Sequence, residues 1–247
     1  MNGGRGGPAA RPPLGVMALP GEAVRAYRAV FLPASLAYLV PLLVSGLLAA
    51  LLFGFDSISM VPEVQPPLLS VTLAVLLQTA GSCLGVLAVT IIVAENHVGR
   101  PIDIVSGWRR ALPFLPAVLL MSLFVGLSIG LGLLLLVLPG LWLTAAFAVF
   151  IPATVFEGAG LKGASRSLVL TKGYRWPIAG LILVTILPLI VITVAAGFFG
   201  IPLWSVSPIA GFLIETLAAM VPAAFFSIVG VLLYWRLCEI EATVERA

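Results

Sequence analysis

The sequence predicts an all-α polytopic membrane protein with six transmembrane helices, short interfacial helices between them, and a threefold internal repeat. Three observations carry this. Hydrophobic residues make up 61% of the 247 residues and charged ones 9%, whereas soluble domains carry roughly 25% charged residues. With a mean hydropathy of +1.20, such a chain cannot cover itself with polar surface and must use lipid as part of its solvent. The apolar residues fall into six runs, each of a length to cross about 30 Å of hydrocarbon at roughly 1.5 Å per residue. If those runs are spans, all 13 Lys and Arg lie on one side.

Residues 1–21 are rich in Gly and Pro, with Arg5 and Arg11. They are expected to form a disordered cytoplasmic tail, because too few large apolar side chains are present to offset ordering. No apolar core follows the arginines, so a signal peptide is not expected. The membrane domain covers 22–237, and 238–247 is a second cytoplasmic tail.

Within the domain, 22–30 reads as a short helix lying in the interface. Val24, Tyr27 and Phe31 share one side, and Glu22, Arg25 and Arg28 another. The first span is 31–53, with Pro41 expected to kink it. The connector that follows carries Asp56 and Glu63 but no Lys or Arg. The second span, 68–94, has Gln78, Thr79, Ser82 and Cys83 near its centre. In the next connector, 95–110, Pro101 is placed to open a short helix, with Ile102, Val105 and Trp108 toward lipid. The third span, 113–138, contains Gly126 and Gly130 four residues apart, a spacing that lets helix backbones approach and predicts a place inside the bundle. Pro139-Gly140 is expected to turn the chain into the short fourth span, 141–157. A third basic amphipathic stretch, 161–172, stops at Gly173. The fifth and sixth spans are 177–199 and 211–235, joined by an uncharged connector.

The positive-inside rule then puts both termini in the cytoplasm, which predicts a multi-pass protein of the bacterial inner membrane. Aromatics agree. Tyr27, Trp108, Tyr174, Trp176, Tyr234 and Trp235 fall at the inner boundary, Trp142 and Trp204 at the outer one.

Three segments share one grammar, a basic amphipathic stretch followed by a proline near the start of a long span: EAVRAYRAVFLP, PIDIVSGWRRALP and LKGASRSLVLTKGYRWP. Two of them follow a span that ends in glutamate, Glu95 and Glu157. These are the basis of the expected repeat. The runs VLPGLWLTAAFAVFIPATVFEGAGLKGASRSLVLTKGYRWPI, GRPIDIVSGWRRALPFLPAVLL and VLLYWRL resemble the membrane domain found beside glycerophosphodiester phosphodiesterases in some bacteria, and the related YciC-type multi-pass proteins. The resemblance covers most of 22–237 and implies a topology rather than an activity. The spans take up the 247 residues, so the soluble phosphodiesterase barrel, about 250 residues in size, is expected to be absent and its activity with it.

A net charge of +3 could suggest nucleic acid, but the cations sit in tails and connectors without a dense patch or interleaved aromatics, so no nucleic-acid partner is expected. Cys83 and Cys238 lie in a span and a tail, which predicts no disulfide and no metal site. No cofactor is expected. HExxH, GxSxG and paired His or Cys motifs are absent from the sequence, and no enzyme is expected.

Two sets of candidate residues remain. Arg25, Arg28, Arg109, Arg110, Lys162, Arg166, Lys172 and Arg175 form a cytoplasmic basic collar suited to anionic lipid headgroups or a protein partner, each cation contributing about 1 kcal/mol near an anionic leaflet. Gln78, Glu95, Glu157 and Glu215 are intramembrane polar groups. Glu95 and Glu157 are expected to pair with Arg100, Arg109, Lys162 or Arg166, whereas Glu215 has no cation on its side and is expected at the headgroup level, the alternative being a wet cavity. The first reading of function is therefore a non-enzymatic membrane module that contacts membrane lipids or a protein partner, a second copy included. The alternative is a small transporter or channel subunit using the intramembrane polar residues. Reporter fusions at Glu63 and Ser205 are expected to report outside and a fusion at Gly163 inside; any other pattern removes the six-span topology.

Overall fold

The computed structural model describes residues 14–55, 58 and 66–246. The expected tail through residue 13, together with Asp56 and Glu63, lies outside them. Among the described residues there are nine α-helices and no strand: α1 (Leu19–Phe53), α2 (Leu68–His97), α3 (Ile104–Ala111), α4 (Leu115–Leu135), α5 (Val137–Ala146), α6 (Phe150–Phe156), α7 (Gly163–Leu170), α8 (Arg175–Val206) and α9 (Pro208–Glu245). Six segments are long and apolar enough to cross a membrane: α1, α2, α3 continued through α4, α5 with α6, α8 and α9. They pack as a closed ring in the order α1, α2, α4, α5, α8, α9 and back to α1, with α2 also touching α9 across it.

Helix α1 begins inside the expected tail. Leu14 and Leu19 are buried, so apolar burial draws the chain into the fold before residue 21. The amphipathic start and the span form one helix broken at Val30 (φ −118°, ψ 20°). Pro33 explains the break, because its ring presses on the carbonyl four residues back, that of Ala29. Pro41 was the expected kink, yet its surroundings keep helical dihedrals. The carbonyl that Pro41 leaves without an intrahelical donor is that of Ala37, and the Trp108 indole of α3 donates to it at 2.9 Å. Trp108 therefore faces the bundle rather than lipid. Helix α3 also starts later than expected. Asp103 caps it by accepting from Val105 N–H and Ser106 N–H at 3.1 and 3.2 Å, which satisfies first-turn donors that Pro101 could not.

The close helix pair is α1 with α2, and its glycines are Gly81 and Gly85. A Cβ on Gly81 would lie 2.7 Å from the Pro41 carbonyl oxygen, and one on Gly85 3.0 Å from Tyr38 Cα. Gly126 and Gly130 have nothing within 4 Å of such a Cβ, and only 17% of the apolar window of their span is buried, against 50% for α2. The expected glycine seam is thus in the second span, not the third. The third span instead uses Gly132, which meets Gly140 where α4 turns back into α5. That turn is made by extended Leu136, and Pro139 and Gly140 already belong to α5. Proline is accepted there because the N–H groups of a first helical turn have no intrahelical acceptor. At the far end, α8 runs to Val206, and Ser207 alone separates it from α9, its hydroxyl accepting from Ala210 N–H at 3.4 Å. The expected eleven-residue connector between those spans is helical almost throughout.

Packing density is polarised along the bundle. The end where α1 begins and α9 finishes is solid: Ile92, Val149, Ile178, Ile228, Val231 and Leu233 are each at most 2% exposed. Toward the opposite end the buried residues thin out; in α2 they run densely over 87–93 but before residue 80 include only Ala74. Replacing Gly85 by Leu is expected to destabilise the protein by about 1–3 kcal/mol through overpacking against backbone. Gly130→Leu should leave thermal unfolding in detergent unchanged, and equal effects from the two would contradict the assignment of the seam.

Candidate functional site

The predicted basic collar divides into engaged and exposed members. Arg166 of α7 is engaged most fully. Its Nε donates to Glu157 at 2.8 and 2.9 Å, and its two terminal nitrogens donate to the two oxygens of Glu241 at 2.7 and 2.5 Å. The Tyr234 hydroxyl donates to Glu157 at 2.9 Å. One guanidinium thus clasps two carboxylates from α9 and the end of α6. The hydrogen bonds to Glu241, and then those to Glu157, hold the guanidinium above its ordinary pKa range while partial burial opposes them.

Arg110, which was not among the expected partners Arg100, Arg109, Lys162 and Arg166, pairs with Glu95. Glu95 is 8% exposed and Arg110 58%. The second Glu95 oxygen is buried without a hydrogen-bond partner, beside a cleft of about 360 Å³ that Arg100 also lines. Arg236 closes the series on Glu22 at 3.2 Å. Each of these four ion pairs joins the end of a returning span to an amphipathic segment, the last with its signs exchanged. Beyond that the three segments differ, since α3 and α7 are separate helices and the first is continuous with its span.

Arg175 departs furthest from expectation. Its guanidinium lies 4.1 Å from the centre of the Trp142 ring and donates to the Leu168 carbonyl at 3.2 Å, although sequence placed Trp142 on the opposite boundary. The reason is α7, which is wedged into the bundle instead of lying on it. The fourth span breaks at 147–149 between α5 and α6, leaving backbone groups without helical partners. Ser167, fully buried, donates to Ala146 O at 2.9 Å and accepts from Val149 N–H at 3.3 Å. Thr171 adds a bond to Ala146 O at 3.2 Å. The chain then turns at Gly173 (φ 90°) and enters α8 beside α5. Arg25, Arg28, Arg109, Lys162 and Lys172 are exposed. His97 stacks on Trp235 with ring centres 4.4 Å apart.

The other candidate residues converge at the loosely packed end. A cavity of about 890 Å³ opens there, and every one of the six spans contributes to its wall. Gln78 and Glu215, 137 positions apart in sequence, both line it, whereas Glu95 and Glu157 belong to the charged end. Sequence reading also named Thr79, Ser82 and Cys83 of α2, which line the cavity too. It missed Tyr38, Ser122, Thr193 and Thr216. Three of those four are lone hydroxyls in apolar runs, and that was the available signal. Tyr38 and Ser82 are hydrogen-bonded to each other at 3.0 Å, and the Cys83 thiol lies 3.6 Å from the Ser122 hydroxyl. Glu215 accepts from the Trp204 indole at 2.8 Å. Among the described residues no Lys, Arg or His lines the cavity, and no group of three His, Cys, Asp or Glu could hold a metal ion.

The clasp generates a test of coupling. Arg166→Gln and Glu241→Gln are each expected to cost about 2 kcal/mol, as charged hydrogen bonds do. The double variant should cost little more than Arg166→Gln alone, because that change already removes the bonds to Glu241 along with those to Glu157. Thermal unfolding followed by circular dichroism reads this, and full additivity would show that the two groups act independently.

Comparison of the chain with protein-family models, with curated proteins and with solved structures finds no match in any of the three.

Proposed function

We propose that this multi-pass membrane protein binds a small solute within its bundle and passes it across the membrane as a small transporter or channel subunit, with no covalent chemistry. One observation carries the reading: the cavity, walled by all six spans, gathers Gln78, Glu215 and a set of hydroxyls that would otherwise face lipid. Polar and ionisable groups at membrane depth are costly and mark pathways when they share a cavity. Its volume of about 890 Å³ falls within the range of roughly 300–1,000 Å³ typical of small-molecule sites. The packed, ion-paired end is the cytoplasmic one in this reading, by the positive-inside rule, and the cavity opens to the outer side of a bacterial inner membrane.

The collar reading loses part of its support to the same geometry. Arg110 and Arg166 face internal carboxylates and Arg175 an internal ring. Arg25, Arg28, Arg109, Lys162 and Lys172 remain exposed, and these five favour a second reading in which the charged end rests on anionic headgroups or a protein partner.

Cysteine labelling separates the two. In a Cys83→Ser, Cys238→Ser background, Ser122→Cys and Ala196→Cys are expected to react with a membrane-impermeant thiol reagent added outside intact cells. Ile228→Cys, in the packed core, should not. Cavity positions as inert as Ile228→Cys would remove the solute reading and leave the collar.

A further inference from the structure

We infer that the occupant of the cavity is a monovalent organic cation with an apolar body, held at Glu215. The inference rests on the proposed solute site and adds the chemistry of its ligand. Among the described lining residues Glu215 is the one carboxylate, and none is a cation. Trp204 supplies a hydrogen bond to Oε1 at 2.8 Å but no charge. A carboxylate in an apolar bundle without a counter-charge is costly to hold, and a bound cation would supply that counter-charge.

The rest of the wall sets the character of the body. Most of its hydroxyls are already engaged within the protein. Thr79, Thr193 and Thr216 donate to the carbonyls of Val75, Leu189 and Phe212 at 2.7, 2.9 and 2.7 Å. Tyr38 and Ser82 bond to each other, and Ser122 meets Cys83. A sugar or another polyol would have to desolvate many hydroxyls against threonines whose own protons are already donated within the protein. A zwitterion would bring an anion to a wall without a cation. Apart from the neutral amide of Gln78, most of the remaining described lining is aliphatic, with the Tyr38 and Phe212 rings, which offers apolar contact and the negative faces that attract cations. One positive charge on an apolar frame is the chemistry left.

The test uses the full chain in nanodiscs of net-neutral lipid, with tetraphenylphosphonium as the probe and uncharged triphenylphosphine as its comparison. Saturable binding of the radiolabelled cation is expected, at least about tenfold tighter than the uncharged analogue, a modest demand on a charge pair in a low dielectric. Glu215→Gln should abolish that preference, and Glu245→Gln on the exposed end of α9 should keep it. If Glu215→Gln does not yield folded protein, the wild-type preference for charge decides by itself. Equal binding of both probes would overturn the cation while leaving the solute cavity in place. Saturable binding of neither would overturn the cation too, and cysteine labelling then judges the cavity separately.

Discussion

In hydrocarbon, a backbone N–H or C=O that loses its helical partner has no water to turn to, so the chain itself must supply another. This constraint explains the contacts that hold the bundle in register. Pro41 frees the Ala37 carbonyl, and Trp108, 71 residues away in sequence, donates to it. The break at 147–149 frees groups around Ala146 and Val149, and Ser167 and Thr171 bond to them. In both places a proline or a break in a span determines where an amphipathic helix must dock. The helices α3 and α7, which composition alone would float on the membrane surface, are thereby drawn in and fix the ends of the spans they touch.

From this follows the unequal density of the two ends. Docking α3 and α7 fills the charged end with side chains, and four ion pairs among the described residues tie returning spans to amphipathic segments. No equivalent wedge exists among the described residues at the other end, where α4 and α5 join at Leu136 and α8 and α9 at Ser207. Spans held apart at one end by inserted helices, and joined at the other by single residues, leave space between them, and the polar side chains of five spans point there. Glu215 and Trp204 stabilise the α8–α9 junction across that space.

The fold class was legible because it depends on quantities that add along the chain: run length, hydropathy and the side on which cations fall. The boundary between the first amphipathic segment and its span was legible for a local reason, Pro33, and the structure breaks at Val30. Gly126 and Gly130 misled because the spacing that permits close packing is silent on which face meets a neighbour; Gly81 and Gly85 share the spacing and have the partner. Trp142 misled in the same way. Its depth was read from a straight fourth span, and no signal along the chain announced that α7 would bring Arg175 against it. Gln78 and Glu215 were legible singly as polar residues in apolar runs, but their convergence is a product of ring closure between α2 and α9.

The barrier between the cavity and the charged end has an identifiable composition. Tyr38 and Ser82 bond across its floor, with Val86 and Ile151 beside them. Below them lie α6 and α7, which are seven and eight residues long. The first two helices cannot part there cheaply, because Gly81 and Gly85 bring their backbones together over a long common surface. The α6–α7 pair has no such seam with the spans around it. It is fastened by the buried Ser167 and Thr171 bonds at one end and by the part-exposed Arg166 clasp at the other, and of these the clasp is the one that water or headgroups can replace. Apolar backbone contact has no such substitute. In the proposed transport reading, a solute leaving the cavity toward the charged end would therefore pass by α6–α7, where the Arg166 clasp is the contact most open to exchange with water.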